Sequence, residues 1–199
     1  MIIFAQHGWA DHNSSMANLG ARLAQSCALS MRVREVIAPN LGWWRTWYRL
    51  EPLIQTVEIA AQGAIALEEP WHIIGHSMGG LIWLELLNRY PSWHARVQSL
   101  VLIGCPVNGS GLARQLDFWG FGIARDLGKC RTDLAEAIAT RIPTLAIAGQ
   151  INATGDGTVA LTETIFQHGQ WRQVSGVGHA ALRHAPQTQE LILDFWRSL

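Results

Sequence analysis

The stretch that decides the reading is "WHIIGHSMGG", residues 71–80. Apolar residues run from Trp71 to Gly75, and from Leu81 the apolar spacing turns helical. A serine therefore stands where a strand becomes a helix, with a glycine two positions away on each side. So tight a corner forces the Ser77 backbone toward positive φ, which is strained for a residue with a side chain. Gly75 and Gly79 remove the Cβ atoms that would collide across the turn, and Gly80 lets the helix approach the strand closely. Such a corner lifts a hydroxyl above the sheet at a helix N-terminus, where the partial positive charge of the helix favours an anionic oxygen. It has the form of a nucleophile elbow, G-x-S-x-G. A phosphate-cradling loop is excluded, because the stretch has neither GxGxxG spacing nor a P-loop lysine.

Outward from this corner, short apolar runs at 2–5, 33–37, 71–74, 100–103, 144–148 and 171–174 read as buried parallel strands. Helical spacing fills the intervals at 15–29, 52–67, 78–89, 132–140, 158–167 and 185–196. Alternation of this kind predicts a three-layer α/β/α sandwich around a mostly parallel sheet of about six strands. The 199 residues fit a single domain, 1–199. One stretch breaks the rhythm: 105–130 is rich in glycine and isolated aromatics, and reads as a small cap over the sheet.

Apolar residues make up 49% and charged residues 15% of the chain, and acidic and basic residues balance at 15 each. A neutral chain lacks the basic face that nucleic acid or an anionic membrane demands. No run approaches the roughly 18 apolar residues of a membrane span. The start, "MIIFAQHGW", lacks the basic n-region and the long apolar core of a signal peptide. Cys27, Cys105 and Cys130 are odd in number and form no CxxC pair, so the expectation is reduced thiols in a cytoplasmic protein, with Cys105 a small apolar filler. Oligomeric state is not legible.

In open parallel sheets, ligands bind at the carboxyl ends of the strands, so chemistry is sought just after each strand. A serine hydroxyl needs a base. Of the eight histidines, His179 in "VSGVGHAAL" lies on a glycine-rich loop after the last strand. His12 and His184 are its rivals for a loop position. His72, His94 and His168 read as structural or surface residues, and His76 as packing within the elbow. The base needs an orienting carboxylate. Asp156 follows the strand at 144–148 and completes the chain order Ser, Asp, His, whereas Asp133 and Glu163 read as solvated helix faces. A tetrahedral intermediate needs two aimed N–H groups. The backbone N–H of Met78 follows from the elbow, and that of Trp9 from "HGW" after the first strand.

With these residues in view, the chain resembles the α/β-hydrolase superfamily over nearly its whole length, through HGW at 7–9, GHSMGG at 75–80, GDGTV at 155–159 and GVGH at 176–179. The resemblance implies a minimal version of that fold without the amino-terminal antiparallel strands. It implies Ser77 as nucleophile, His179 as base, Asp156 as acid, Trp9 and Met78 as oxyanion donors, and no metal or organic cofactor. HGW is similar to epoxide hydrolases, but those carry an aspartate at the elbow. GHSMGG and D-G-x-V resemble serine esterases and lipases, so the expected partner is a small-molecule ester, cleaved through an acyl-enzyme. A thioesterase or another chemistry on the same triad, and a non-catalytic binding protein on the same fold, stand as alternatives. Trp43, Trp44 and Trp47 in "NLGWWRTWYRL", with Trp119 in the 105–130 stretch, read either as walls of an acyl pocket or as aromatics packed into the core.

Overall fold

The computed structural model describes residues 1–27, 33–116 and 122–199. Strands β1 (Ile2–Gln6), β2 (Glu35–Ile37), β3 (Trp71–His76), β4 (Val97–Ile103), β5 (Thr144–Gln150) and β6 (Gln170–Ser175) form one sheet. The order is β2-β1-β3-β4-β5-β6, and every pairing is parallel. The helices are α1 (Asn13–Cys27), α2 (Glu51–Ile65), α3 (Met78–Arg89), α4 (Gly111–Leu116), α5 (Gly122–Leu127), α6 (Thr132–Ala139) and α7 (Pro186–Arg197). Helices cover both faces of this parallel sheet, as the alternation of strands and helices predicts.

Side chains alternate across β1. Ile2 and Phe4 enter a core with Leu53, Trp71 and Trp83 on the α2–α3 face. Ile3 and Ala5 enter a second core with Met16, Leu19, Ile192 and Trp196 on the α1–α7 face. Burial on both faces explains why β1, β3, β4 and β5 read as apolar runs, whereas the edge strands β2 and β6, expected to be buried, are exposed or half-buried at most positions because each has a neighbour on one side alone. The strand order reverses at β1, so the ends of β1 and β3 flank a switch point, where such sheets open a crevice for ligands.

The helix expected over 158–167 is not formed. Only a single 3₁₀ turn, Leu161–Glu163, occurs there. The Asp156 carboxylate accepts the N–H groups of Thr158 and Val159, and the Asn108 amide donates to the carbonyls of Thr162 and Ile165. Of these groups only the Thr162 carbonyl would have been bonded within a helix, and the Asn108 amide takes it; the Asp156 bonds fall on first-turn N–H groups that have no intrahelical acceptor. Glu163 is correspondingly not a solvated face. Its carboxylate accepts the N–H of Gly111 at 2.6 Å and that of Ala160 at 3.1 Å. Sequence 105–130 carries α4 and α5, while Trp119 lies outside the described residues, as do Phe118 and Phe121. Among the described residues no helix is long and apolar enough to cross a membrane.

Candidate active site

The turn between β3 and α3 has the backbone its sequence requires. Ser77 sits at φ 54°, ψ −123°. A Cβ on Gly75 would stand 2.5 Å from the Gly80 backbone, and one on Gly79 would overlap the Gln6 carbonyl oxygen. The strain is held by neighbours: the Ser77 N–H donates to the Ile103 carbonyl at 2.8 Å, tying the turn to β4. The Ser77 hydroxyl makes no hydrogen bond among the described residues and borders a cavity. Among the described residues no hydrogen bond joins it to His179.

His179 begins a 3₁₀ turn after β6, and Asp156 lies on the loop after β5. His179 Nδ1 is 2.7 Å from Asp156 Oδ2. The His179 N–H also donates to the Asp156 carbonyl at 3.1 Å, so the pair is tied through both backbone and side chain. Asp156 Oδ1 accepts from Thr158 at 2.9 Å and Val159 at 2.7 Å, which fixes the carboxylate. With Nδ1–H facing a carboxylate, Nε2 is left as the basic nitrogen. The imidazole lies over Gly104 at the end of β4, where a Cβ would come within 3.1 Å of the ring.

His76 is a participant that the sequence reading left in packing. It is 2% exposed, and its Nε2 donates to the His179 carbonyl at 3.0 Å. The two rings lie 4.7 Å apart. Burial, and then the adjacent His179, hold the His76 imidazole well below the usual histidine range, so it is neutral near pH 7. The sequence signal was its position directly before the elbow serine. His12 and His184 are exposed. His94 bonds the Leu87 carbonyl, and His168 pairs with Glu136.

On the other side of Ser77 lies the loop after β1. A Cβ on Gly8 would stand 2.9 Å from the His76 carbonyl oxygen and 3.4 Å from the Met78 nitrogen. The loop can therefore touch the elbow only as glycine. Neither the Trp9 N–H, on this loop, nor the Met78 N–H, at the start of α3, has an acceptor among the described residues. His7 is buried and accepts the Leu41 N–H at Nε2, 3.1 Å away; Nδ1–H then donates to the Gly8 carbonyl, also at 3.1 Å. Desolvation lowers its pKa and keeps that acceptor available.

The aromatic turn 43–47 supports this loop. Trp43 Nε1 donates to the Ala10 carbonyl at 3.0 Å, and the Ala10 N–H donates to the Thr46 hydroxyl at 3.1 Å. The Trp47 ring meets the Trp9 ring edge-on, with centroids 4.5 Å apart. Trp43, Trp44 and Trp47 do not line the cavity at Ser77, and Trp44 is 73% exposed. That cavity is walled by Trp9 and by aliphatic residues of the 105–130 stretch such as Leu116, Ile123 and Leu127. Cys105 is buried beneath α3, where desolvation pushes its thiol up and leaves it inert. Among the described residues no group of three or more histidine, cysteine or acidic side chains is placed to hold a metal.

No protein-family model and no curated protein sequence matches the chain. Solved structures do. The mature form of the Bacillus licheniformis lipase BlEst2 superposes with a TM-score of 0.69 at 14% identity, over 97% of this chain and 90% of that one. Est1E from Butyrivibrio proteoclasticus, solved with ferulic acid bound, gives 0.74 at 13% identity over 99% and 88%. A structure described with the metagenome-derived lipolytic enzymes LipS and LipT gives 0.72 at 14% identity over 100% and 94%. At these identities the likeness establishes the architecture, an α/β-hydrolase fold.

Proposed function

We propose that this protein is a serine hydrolase that cleaves carboxylic esters. Ser77 Oγ attacks the carbonyl carbon while His179 Nε2 takes its proton. Asp156 holds the imidazole in the required tautomer and stabilises its charged form. The N–H groups of Met78 and Trp9 receive the oxyanion. The leaving alcohol takes the proton from His179, and water repeats the cycle on the acyl-enzyme. The observation that carries this reading is the 2.7 Å contact between His179 and Asp156, taken together with a serine held at positive φ. The Met78 N–H at the start of α3 and the Trp9 N–H, both without an acceptor among the described residues, support it as donors open to an oxyanion.

The aliphatic wall of the cavity favours an acyl-chain ester, with α4 and α5 serving as a small cap on a single domain. The lipase and esterase likenesses of the fold point the same way. The test is labelling with a fluorophosphonate probe. The expected result is stoichiometric modification of the native protein and none of Ser77→Ala, with octanoate nitrophenyl esters cleaved faster than acetate esters. A native protein that stays unlabelled overturns the reading; faster acetate turnover overturns the acyl-pocket part alone.

A further inference from the structure

Next to the cavity at Ser77 lies a second, more open one. The two share Leu112, Thr158 and Val159 as a common wall, yet their chemistry differs. The first is aliphatic. The second is bordered by Gln115, Asn152, Thr154, Thr158 and Glu163, between α4 and the loop that carries Asp156.

Which of these polar groups can receive a ligand follows from what each already bonds. Glu163 is committed, with both carboxylate oxygens accepting backbone N–H groups. Asn152 Oδ1 accepts the N–H groups of Thr154 and Gly155 and the Thr154 hydroxyl. The Gln115 amide, the Thr158 hydroxyl and Asn152 Nδ2 have no partner among the described residues, and all three side chains are exposed. These are neutral groups that together donate and accept. The wall includes no lysine, arginine or histidine, and its single charge is the Glu163 carboxylate. Arg114, on the same helix, directs its guanidinium to the carbonyls of Gly109 and Gly128.

We propose that this second cavity is a subsite for an uncharged, hydroxyl-bearing part of the substrate. The preferred ester then joins an apolar chain to a polyol, such as a glycerol or sugar unit, and is not phosphorylated. A hydroxyl both donates and accepts, which matches an amide and a threonine side chain. A phosphate would give up hydration without gaining a cationic partner, and would meet a carboxylate. The inference rests on the ester-hydrolase reading and deepens it.

The experiment uses the full chain and compares kcat/KM for three esters below their aggregation limits: 1-octanoylglycerol, methyl octanoate and 1-octanoylglycerol 3-phosphate. With two or three substrate hydrogen bonds at stake, octanoylglycerol is expected about tenfold above methyl octanoate, and the phosphate below both. Gln115→Leu, at an exposed helix position, is expected to lower the glycerol-to-methyl ratio roughly threefold. Equal turnover of the glycerol and methyl esters, or fastest turnover of the phosphate, overturns the subsite and leaves the hydrolase reading standing. Cleavage of none of the three overturns the subsite, and the hydrolase reading is then judged separately by fluorophosphonate labelling of Ser77.

Discussion

His76 Nε2 donates to the backbone carbonyl of His179 at 3.0 Å, so the residue just before the serine holds the loop that carries its candidate base. Strand β3 and the loop after β6 are not neighbours in the sheet, and this bond spans them. Removing it frees the imidazole to drift from the attack geometry, where a displacement of about 1 Å can cost on the order of a hundredfold. His76→Ala is therefore expected to lower kcat roughly ten- to a hundredfold with KM for a nitrophenyl ester little changed. His76→Gln, which keeps a donor, should recover part of the loss. Steady-state kinetics beside a thermal melt separates this from simple destabilisation.

Asp156→Asn keeps an oxygen for the N–H groups of Thr158 and Val159 but turns an amide toward His179 Nδ1. The imidazole must then present Nδ1 as an acceptor, which leaves Nε2 protonated and unable to act as base. The expected loss in kcat is about 10⁴-fold. Far-UV circular dichroism should be unchanged, and fluorophosphonate labelling should slow in parallel with turnover.

Gly8→Ala tests the oxyanion loop. The added methyl would stand 2.9 Å from the His76 carbonyl oxygen and 3.0 Å from Ser77 Cβ, so the loop must retreat. Retreat carries the Trp9 N–H away from the position an oxyanion would occupy. Loss of one such donor costs about 10²–10³-fold in kcat, and pre-steady-state acylation should slow by the same factor. An unchanged acylation rate would remove Trp9 from the mechanism.

The pH dependence of stability is set in part by His72. It is buried on β3, bonded to the Ser99 hydroxyl at 2.8 Å, and desolvation lowers its pKa to about 4. An unfolded histidine binds a proton near pH 6.5. The folded state therefore resists protonation that the unfolded state accepts. Its contribution is complete above about pH 6.5 and is lost as pH falls toward 4, by an amount on the order of 3 kcal/mol. Urea unfolding at pH 7 and pH 4.5 should show the drop. Replacing both partners, as in His72→Leu with Ser99→Ala, should flatten it; His7 and His76, shifted in the same direction, account for a remainder.

Much of this protein was legible in one dimension. The strands at 2–5, 71–74 and 144–148 were readable because a parallel sheet covered on both faces demands unbroken apolar runs. The turn at Ser77 was readable because a Cβ at 75 would meet the Gly80 backbone within the turn itself; Gly79, expected to relieve the same turn, answers instead to the Gln6 carbonyl of β1. The 158–167 segment was misread for the complementary reason. Its spacing suits a helix, but Asn108 holds the Thr162 carbonyl and the Glu163 carboxylate is tied to Gly111, and such contacts between distant segments are invisible to periodicity.

The sequence by itself determined the layered architecture, the strained corner and the residue types available to it, because these follow from short-range sterics and apolar patterning. Only the tertiary structure decided the pairing of His179 with Asp156, the hold of His76 on His179 and the support of Trp9 by Trp43, Thr46 and Trp47. It also decided that Glu163 bridges α4 to the Asp156 loop. Each of these joins groups distant along the chain, and their contact depends on strand order and on which backbone donors remain unpaired once the sheet has formed.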